Sequence, residues 1–292
     1  MAEALTSEQI ENVLHGIKIP PQPQILVDLQ IEQIMPNPDL DQIAKLIRRD
    51  VGLTGTMLKV VNSPFYGLTN KITSVSQAVS LIGLDSVINI INGVSIKSEM
   101  SDETITYMNR FWDTANDIAM IATNVAQQVG YQKPDLAYLL GLFHNAGVPL
   151  LMNRFEHYLD VVEKSYQDSP ERIIDVENTL LKTNHAVVGY YIAKSWNLPK
   201  ILCDAIAEHH NCKRYFVDQH SIDSEAKTLL AILKISEHVC GSFKILGNQE
   251  IDYEWEIIGD EILTHLGLGD YDLEQLQANA EEMGISAKNY AF

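Results

Sequence analysis

Three cysteines, Cys203, Cys212 and Cys240, are all that 292 residues contain, and none pair as CxxC. An odd, scattered set argues against a disulfide scaffold and for thiols that fill small apolar gaps in a reducing compartment. Basic residues are scarce too. Lys and Arg number 21 against 39 Asp and Glu, a formal net charge of −18. Such a surface repels phosphate backbones and anionic lipid, and no basic run exceeds Arg48-Arg49 or Lys213-Arg214. Neither nucleic acid nor a membrane is therefore an expected partner. The most apolar long stretch, Leu81 to Ile96, is interrupted by Asp85, Asn89 and Asn92, which excludes a membrane span there. The N-terminal MAEALTSEQIENVL lacks the basic-then-apolar order of a secretory leader, so a cytoplasmic location is expected. Alternating strand patterns are nearly missing, as are repeats and low-complexity linkers.

What is present is helical periodicity, in a chain that is 46% hydrophobic and long enough for a substantial core. A capping box at Thr6 to Gln9 precedes a short helix, and the proline-rich Ile19 to Gln24 forms an extended arm. Helices are expected over Ile25 to Met35, after a cap at Asp39, and over Thr54 to Val61. Asn62 to Gly67 reads as a turn cluster. A further helix starts at Ser74 or Ser76, pauses at Gly83 and resumes at Asp85. Glu103 to about Val129 forms a long one. Pro134 to Met152 reads as a single helix with one apolar face, in which Gly141 marks close approach by a neighbour. Helices follow over Glu156 to Gln167, Pro170 to Leu181, His185 to Trp196 and Leu198 to His210. Residues 211–222 are the least patterned loop. Asp223 to Phe243, Tyr253 to Leu266 and Leu273 to Met283 complete an all-α chain of about a dozen helices. Trp112 and Trp196 sit among apolar neighbours at helical spacing and are expected in the core.

Polar residues inside apolar helices must be hydrogen-bonded or must hold something. His144-Asn145 stands in that position within Pro134 to Met152. His185, His209, His210 and His238 follow on separate helices, apart from the 209–210 pair. Spacing alone leaves open whether they converge, and adjacent helical residues point about 100° apart, which sets His209 and His210 on different faces.

Several stretches together resemble the HDOD family, the HD-related output domain of bacterial signalling proteins. They are the proline-led IPPQPQILVDLQ and the helices after it as far as NSPFYG, the segment ITSVSQAVSLIGLDSVINI, the motif GLFHNAGVPLL, and NHAVVGYYIAKSWNLPKILCDAIAEHH. The resemblance spans about residues 15 to 245. It implies a multi-helix HD-like bundle: an N-terminal helical part (1–100), an HD-like core (101–245) and a C-terminal helical extension (246–292).

The wider HD superfamily comprises metal-dependent phosphohydrolases that use a first histidine, a histidine–aspartate pair and a later aspartate to hold metal. Carried onto this chain, the metal positions are His144, His185, His209, His210 and Glu237. The first histidine is lost at Thr114, and Asn145 replaces the aspartate of the pair. A neutral amide cannot supply the charge that a divalent pair needs. Asp117, one turn after Thr114, is a weaker substitute. The resemblance thus implies a non-catalytic regulatory module acting through a protein partner, with a degenerate metal site and no required cofactor. The alternative is a phosphohydrolase working with a divalent Fe, Mn, Zn or Ni on the remaining histidines.

Overall fold

A computed structural model describes residues 14, 16–19, 24–48, 51–62, 71–100, 106–167 and 171–285. The capping box at Thr6, most of the proline arm and the turn after Asn62 lie outside these. Among the described residues every regular element is a helix, and none is long and apolar enough to cross a membrane.

The N-terminal part holds α1 (Gln24–Gln33), α2 (Leu40–Arg48), α3 (Val51–Val61), α4 (Val75–Ile82) and α5 (Leu84–Met100). Asp39 caps α2 by accepting from the amides of Asp41 and Gln42. Ser74 caps α4, and Gly83 takes a left-handed φ of 85° that turns the chain into α5. Asn62 is structural: its amide donates to the Leu58 and Ile72 carbonyls, and its oxygen accepts from the Ile72 amide. Helix α3 begins at Val51 rather than Thr54, so Gly52 is tolerated inside its first turn.

The centre is built on α6 (Thr106–Gln128), α7 (Pro134–Phe143) and α8 (Gly147–Arg154). Every residue of α7 from Leu136 to Phe143 is buried, so this helix is apolar all round. It packs on α5, α6, α12 (Lys200–Glu208) and α14 (Ser224–Cys240). Gly141 permits the α6 contact: a Cβ there would lie 2.6 Å from the Ala119 Cα.

Pro134 to Met152 is not one helix. The chain turns at His144–Ala146 and restarts at Gly147. Pro149 has no amide to donate to the Asn145 carbonyl, and the turn bonds Ala146 to Phe143 and Val148 to Asn145 instead. Gly147 lets the restarted helix close on α11 (His185–Ser195): a Cβ there would lie 2.2 Å from the His185 carbonyl oxygen. Between α8 and α11 lie α9 (Tyr158–Ser165) and α10 (Ile173–Leu181). The unpatterned stretch after His210 contains a short helix, α13 (Cys212–Phe216). Gly241, at φ 77°, separates α14 from α15 (Ser242–Ile245), where one helix was expected. Helices α16 (Tyr253–Leu266) and α17 (Asp270–Glu282) close the described chain. Trp112 and Trp196 are fully buried in the common core, as are the three free cysteines.

Candidate functional site: a buried ring of histidines and ions

Each histidine is placed by a helix end, where backbone carbonyls are free to accept. His144 terminates α7, and its Nδ1 lies 2.7 Å from the Gly141 carbonyl. His209 follows α12, with Nδ1 2.7 Å from the Ile206 carbonyl. His185 opens α11 behind the Asn184 cap, with Nδ1 2.7 Å from Glu177 Oε2 on α10. Glu177 also accepts from the His185 amide at 3.0 Å and from the Tyr158 hydroxyl at 2.5 Å. The Nδ1 of His210 faces Glu254, 3.3 Å from Oε2.

The Gly141 and Ile206 carbonyls and the Glu177 carboxylate accept, so Nδ1 of His144, His209 and His185 carries a proton. A neutral ring so oriented presents Nε2 as a lone pair. All four Nε2 atoms turn inward. His185 Nε2 lies 3.2 Å from His209 Nε2 and 3.1 Å from His210 Nε2. His144 Nε2 lies 3.4 Å from Glu237 Oε1 and has no hydrogen-bond partner among the described residues. His209 and His210 do share one focus, contrary to the reading that adjacent helical residues diverge. Helix α12 ends at Glu208, and the turn after it swings both rings onto His185, with ring centroids 4.1 Å apart.

Glu237 closes the ring from α14. Its Oε2 meets Lys234 Nζ at 2.9 Å, and the same ammonium donates to Glu254 Oε2 at 2.9 Å. The contacts run His144–Glu237–Lys234–Glu254–His210–His185–His209, and the His209 ring returns to His144 at a centroid distance of 5.4 Å. Beside Lys234 a cleft of about 10 Å³, lined by Tyr166, Phe243 and Trp255, has room for roughly one water.

All five residues carried over by resemblance therefore meet in one place. Thr114 and Asp117 are buried on α6, and Asn145 is buried in the turn after α7 with its Oδ1 unpartnered among the described residues. His238 is turned away: it stacks on Trp255 and bonds Asp252. Sequence reasoning missed Glu177, Lys234 and Glu254. The signal for Lys234 was a lone cation in the apolar run TLLAILKIS, three residues before Glu237. Glu254 shares the first turn of α16 with Glu256, and no local signal sets it apart.

The nitrogen side fits a transition metal. Zinc–nitrogen bonds of about 2.0–2.1 Å in a tetrahedron put ligand nitrogens roughly 3.3 Å apart, close to the spacings seen between His185, His209 and His210. Nδ1 protons held by a carboxylate or a carbonyl are the usual second shell of such ligands. The carboxylate side fits less well, since Glu237 is engaged by an ammonium.

Burial holds the His209 ring well below the usual histidine pKa, reinforced by His210, His185 and Lys234. Burial followed by Lys234 does the same to His210. Glu237 stays well below the usual carboxylate range although burial opposes it, because Lys234 and His144 outweigh that cost. The Lys234 ammonium is raised against its own burial by Glu237 and Glu254.

A stability loss in mild acid follows from the two depressed histidines. The unfolded chain takes up protons on His209 and His210 below about 6.5, and the folded chain does so only at much lower pH. The unfolded state thus binds more protons, and stability falls with pH. At pH 5.5 each ring should cost about 1.4 kcal/mol relative to pH 7.5. Urea titrations at the two pH values should differ by about 2–3 kcal/mol, and His209→Asn should remove about half of that difference. Equal stabilities would show that the rings are already charged or solvated.

The HDOD domain model matches residues 19–212, two thirds of the chain, and the chain belongs to the HDOD family. An uncharacterized protein of Treponema pallidum is 29% identical over 188 residues, which are 63% of this chain and 36% of that protein. The chain thus spans about a third of that relative. An HDOD domain protein of unknown function from Geobacter sulfurreducens shares the fold at a TM-score of 0.66 and 22% identity, covering 94% of this chain and 92% of its own. A Shewanella amazonensis protein provisionally named a phosphohydrolase superposes with a TM-score of 0.66 at 17% identity, over 93% and 94% of the two chains. At these identities the likeness concerns the fold. Lys234, Glu237 and Glu254 lie beyond the residues that the family model matches.

Proposed function

We propose that this chain is a non-catalytic regulatory module of bacterial signal transduction that acts through a protein partner, built around a degenerate hydrolase centre. The observation that carries the reading is the closure of the ring. His144, His185, His209, His210, Lys234 and Glu237 are each no more than 6% exposed, and Glu237 is held by Lys234. Hydrolysis of a phosphoester needs phosphorus and an attacking water to meet at the metal. Here the anionic ligand is neutralised by an ammonium, and the opening beside it, lined by Lys234, Glu237 and Glu254, has room for only about one water. Thr114 and Asn145 remove two further ligands. A partner surface is supported by Ile31, Ile34, Met35 and Leu40 at the α1–α2 corner, four exposed large apolar side chains within ten residues, with Ile34 80% exposed.

A second reading, a metal-dependent phosphohydrolase, is favoured by the three inward Nε2 atoms of His185, His209 and His210. Those residues would hold Fe, Mn, Zn or Ni, and the ion would supply a water of lowered pKa. Glu177 would orient His185, and the Gly141 and Ile206 carbonyls would orient His144 and His209.

The test is turnover of a generic phosphodiester by the purified chain with added manganese or iron. No turnover above buffer is expected. Turnover that His144→Ala abolishes would defeat the regulatory reading.

A further inference from the structure

A buried ammonium needs a reason. Lys234 lies on the inner face of α14, where its neighbours from Leu229 to Ile235 are buried apolar residues. Its side chain is 3% exposed. Desolvating an ammonium costs several kcal/mol, and that cost is met only by well-placed anions. Two are present. Glu237 Oε2 and Glu254 Oε2 each lie 2.9 Å from Nζ. They come from different helices, α14 and α16, so the ammonium joins two parts of the chain at one point. Beyond the two carboxylates stand imidazoles. Glu237 Oε1 faces His144 Nε2, and Glu254 faces His210 Nδ1.

Two carboxylates on one cation, with an imidazole against each of them, form a donor set suited to a divalent transition metal. The cation at its carboxylate focus is covalently tethered. We infer that the Lys234 ammonium is the resident cation of this centre, standing where a divalent ion would stand between Glu237 and Glu254. The inference rests on the regulatory reading and names the residue that withholds the carboxylates from a metal.

The consequence is that removing the ammonium creates a metal site. Lys234→Met keeps most of the apolar stem and deletes the charge. Buried Glu237 and partly buried Glu254 then lose the cation they share. In chelator the variant should melt about 5–15 °C below the wild type. Zinc or manganese chloride should restore at least half of that loss. Wild-type melting should be unmoved by either chelator or metal. Calorimetric titration of the full chain should give at least about tenfold tighter zinc binding in Lys234→Met than in wild type, and adding His185→Ala should remove the gain.

If Lys234→Met does not fold in chelator, the double variant Lys234→Met/Glu254→Gln deletes one charge of each sign and relieves the repulsion. It should fold, and it too should bind zinc at least about tenfold tighter than wild type, through Glu237 and the histidines. Zinc affinity equal to wild type in the variant that folds would overturn the inference. So would a wild-type chain that already binds zinc as tightly as the variant. Phosphodiester turnover by the wild type bears on the regulatory reading instead, so the two failures are read from different measurements.

Discussion

Gly147→Ala should cost about 4 kcal/mol or more, enough to drop the melting temperature by roughly 10 °C or leave the chain unfolded. An added Cβ would lie 2.2 Å from the His185 carbonyl oxygen, 2.9 Å from its carbon and 3.0 Å from the Gly189 amide nitrogen. All three are backbone atoms, so no rotamer change relieves the clash. Helix α8 would have to withdraw from α11, separating the turn that carries His144 from the helix that carries His185. Gly189→Ala, on the other side of the same contact, meets the Ile206 Cγ2 at 3.1 Å, a side-chain atom that can give way. It should cost no more than about 1–2 kcal/mol. Thermal melts of the two variants side by side check the claim, and equal effects would show that α8 and α11 can slide apart freely.

Glu177→Ala is the second large effect. The carboxylate is fully buried and accepts from the Tyr158 hydroxyl, the His185 amide and His185 Nδ1. Alanine removes the acceptor that these three donors share and opens a cavity, for an expected loss of about 3–5 kcal/mol. Tyr158→Phe removes one donor together with its partner's bond and should cost only about 1–2 kcal/mol. Glu177→Gln keeps the volume and one acceptor oxygen, and should fall between the two. Glu177→Ala also has a readout beyond stability. With no acceptor at Nδ1, the His185 proton is free to move to Nε2, the atom that faces His209 and His210. Nitrogen chemical shifts of the His185 ring should then report a changed tautomer in Glu177→Ala. An unchanged spectrum would mean that Glu177 supports packing without setting the ring's proton.

Much of the helical layout was legible because its signals are local. The Asp39, Ser74 and Asp223 caps and the left-handed Gly83 each act within four residues of themselves. The failures are equally instructive. Pro134 to Met152 has helical periodicity throughout, yet it breaks at His144–Ala146, where Pro149 leaves the Asn145 carbonyl without its helical donor, and Gly147 then meets a backbone some forty residues away. His209 and His210 were assigned to opposed faces because helix geometry was extended past Glu208, where α12 ends. Glu254 went unmarked because nothing in the order Tyr253-Glu254-Trp255 distinguishes a first-turn glutamate that points at a buried lysine from one that points at water.

The sequence by itself determined the class of fold and the inventory of donors. Periodicity, caps and breakers are properties of neighbouring residues, and so are the kinds of atom that imidazoles and carboxylates offer. Tertiary structure decided which donors meet. The ring draws on residues from His144 to Glu254, carried by α7, α11, the end of α12, α14 and α16, and its closure depends on distances across helices that no local spacing encodes. It also decided the sign of the charge at the centre. A lysine in an apolar helix is only an anomaly in sequence, and it becomes a bridging cation once two carboxylates from different helices are packed around it.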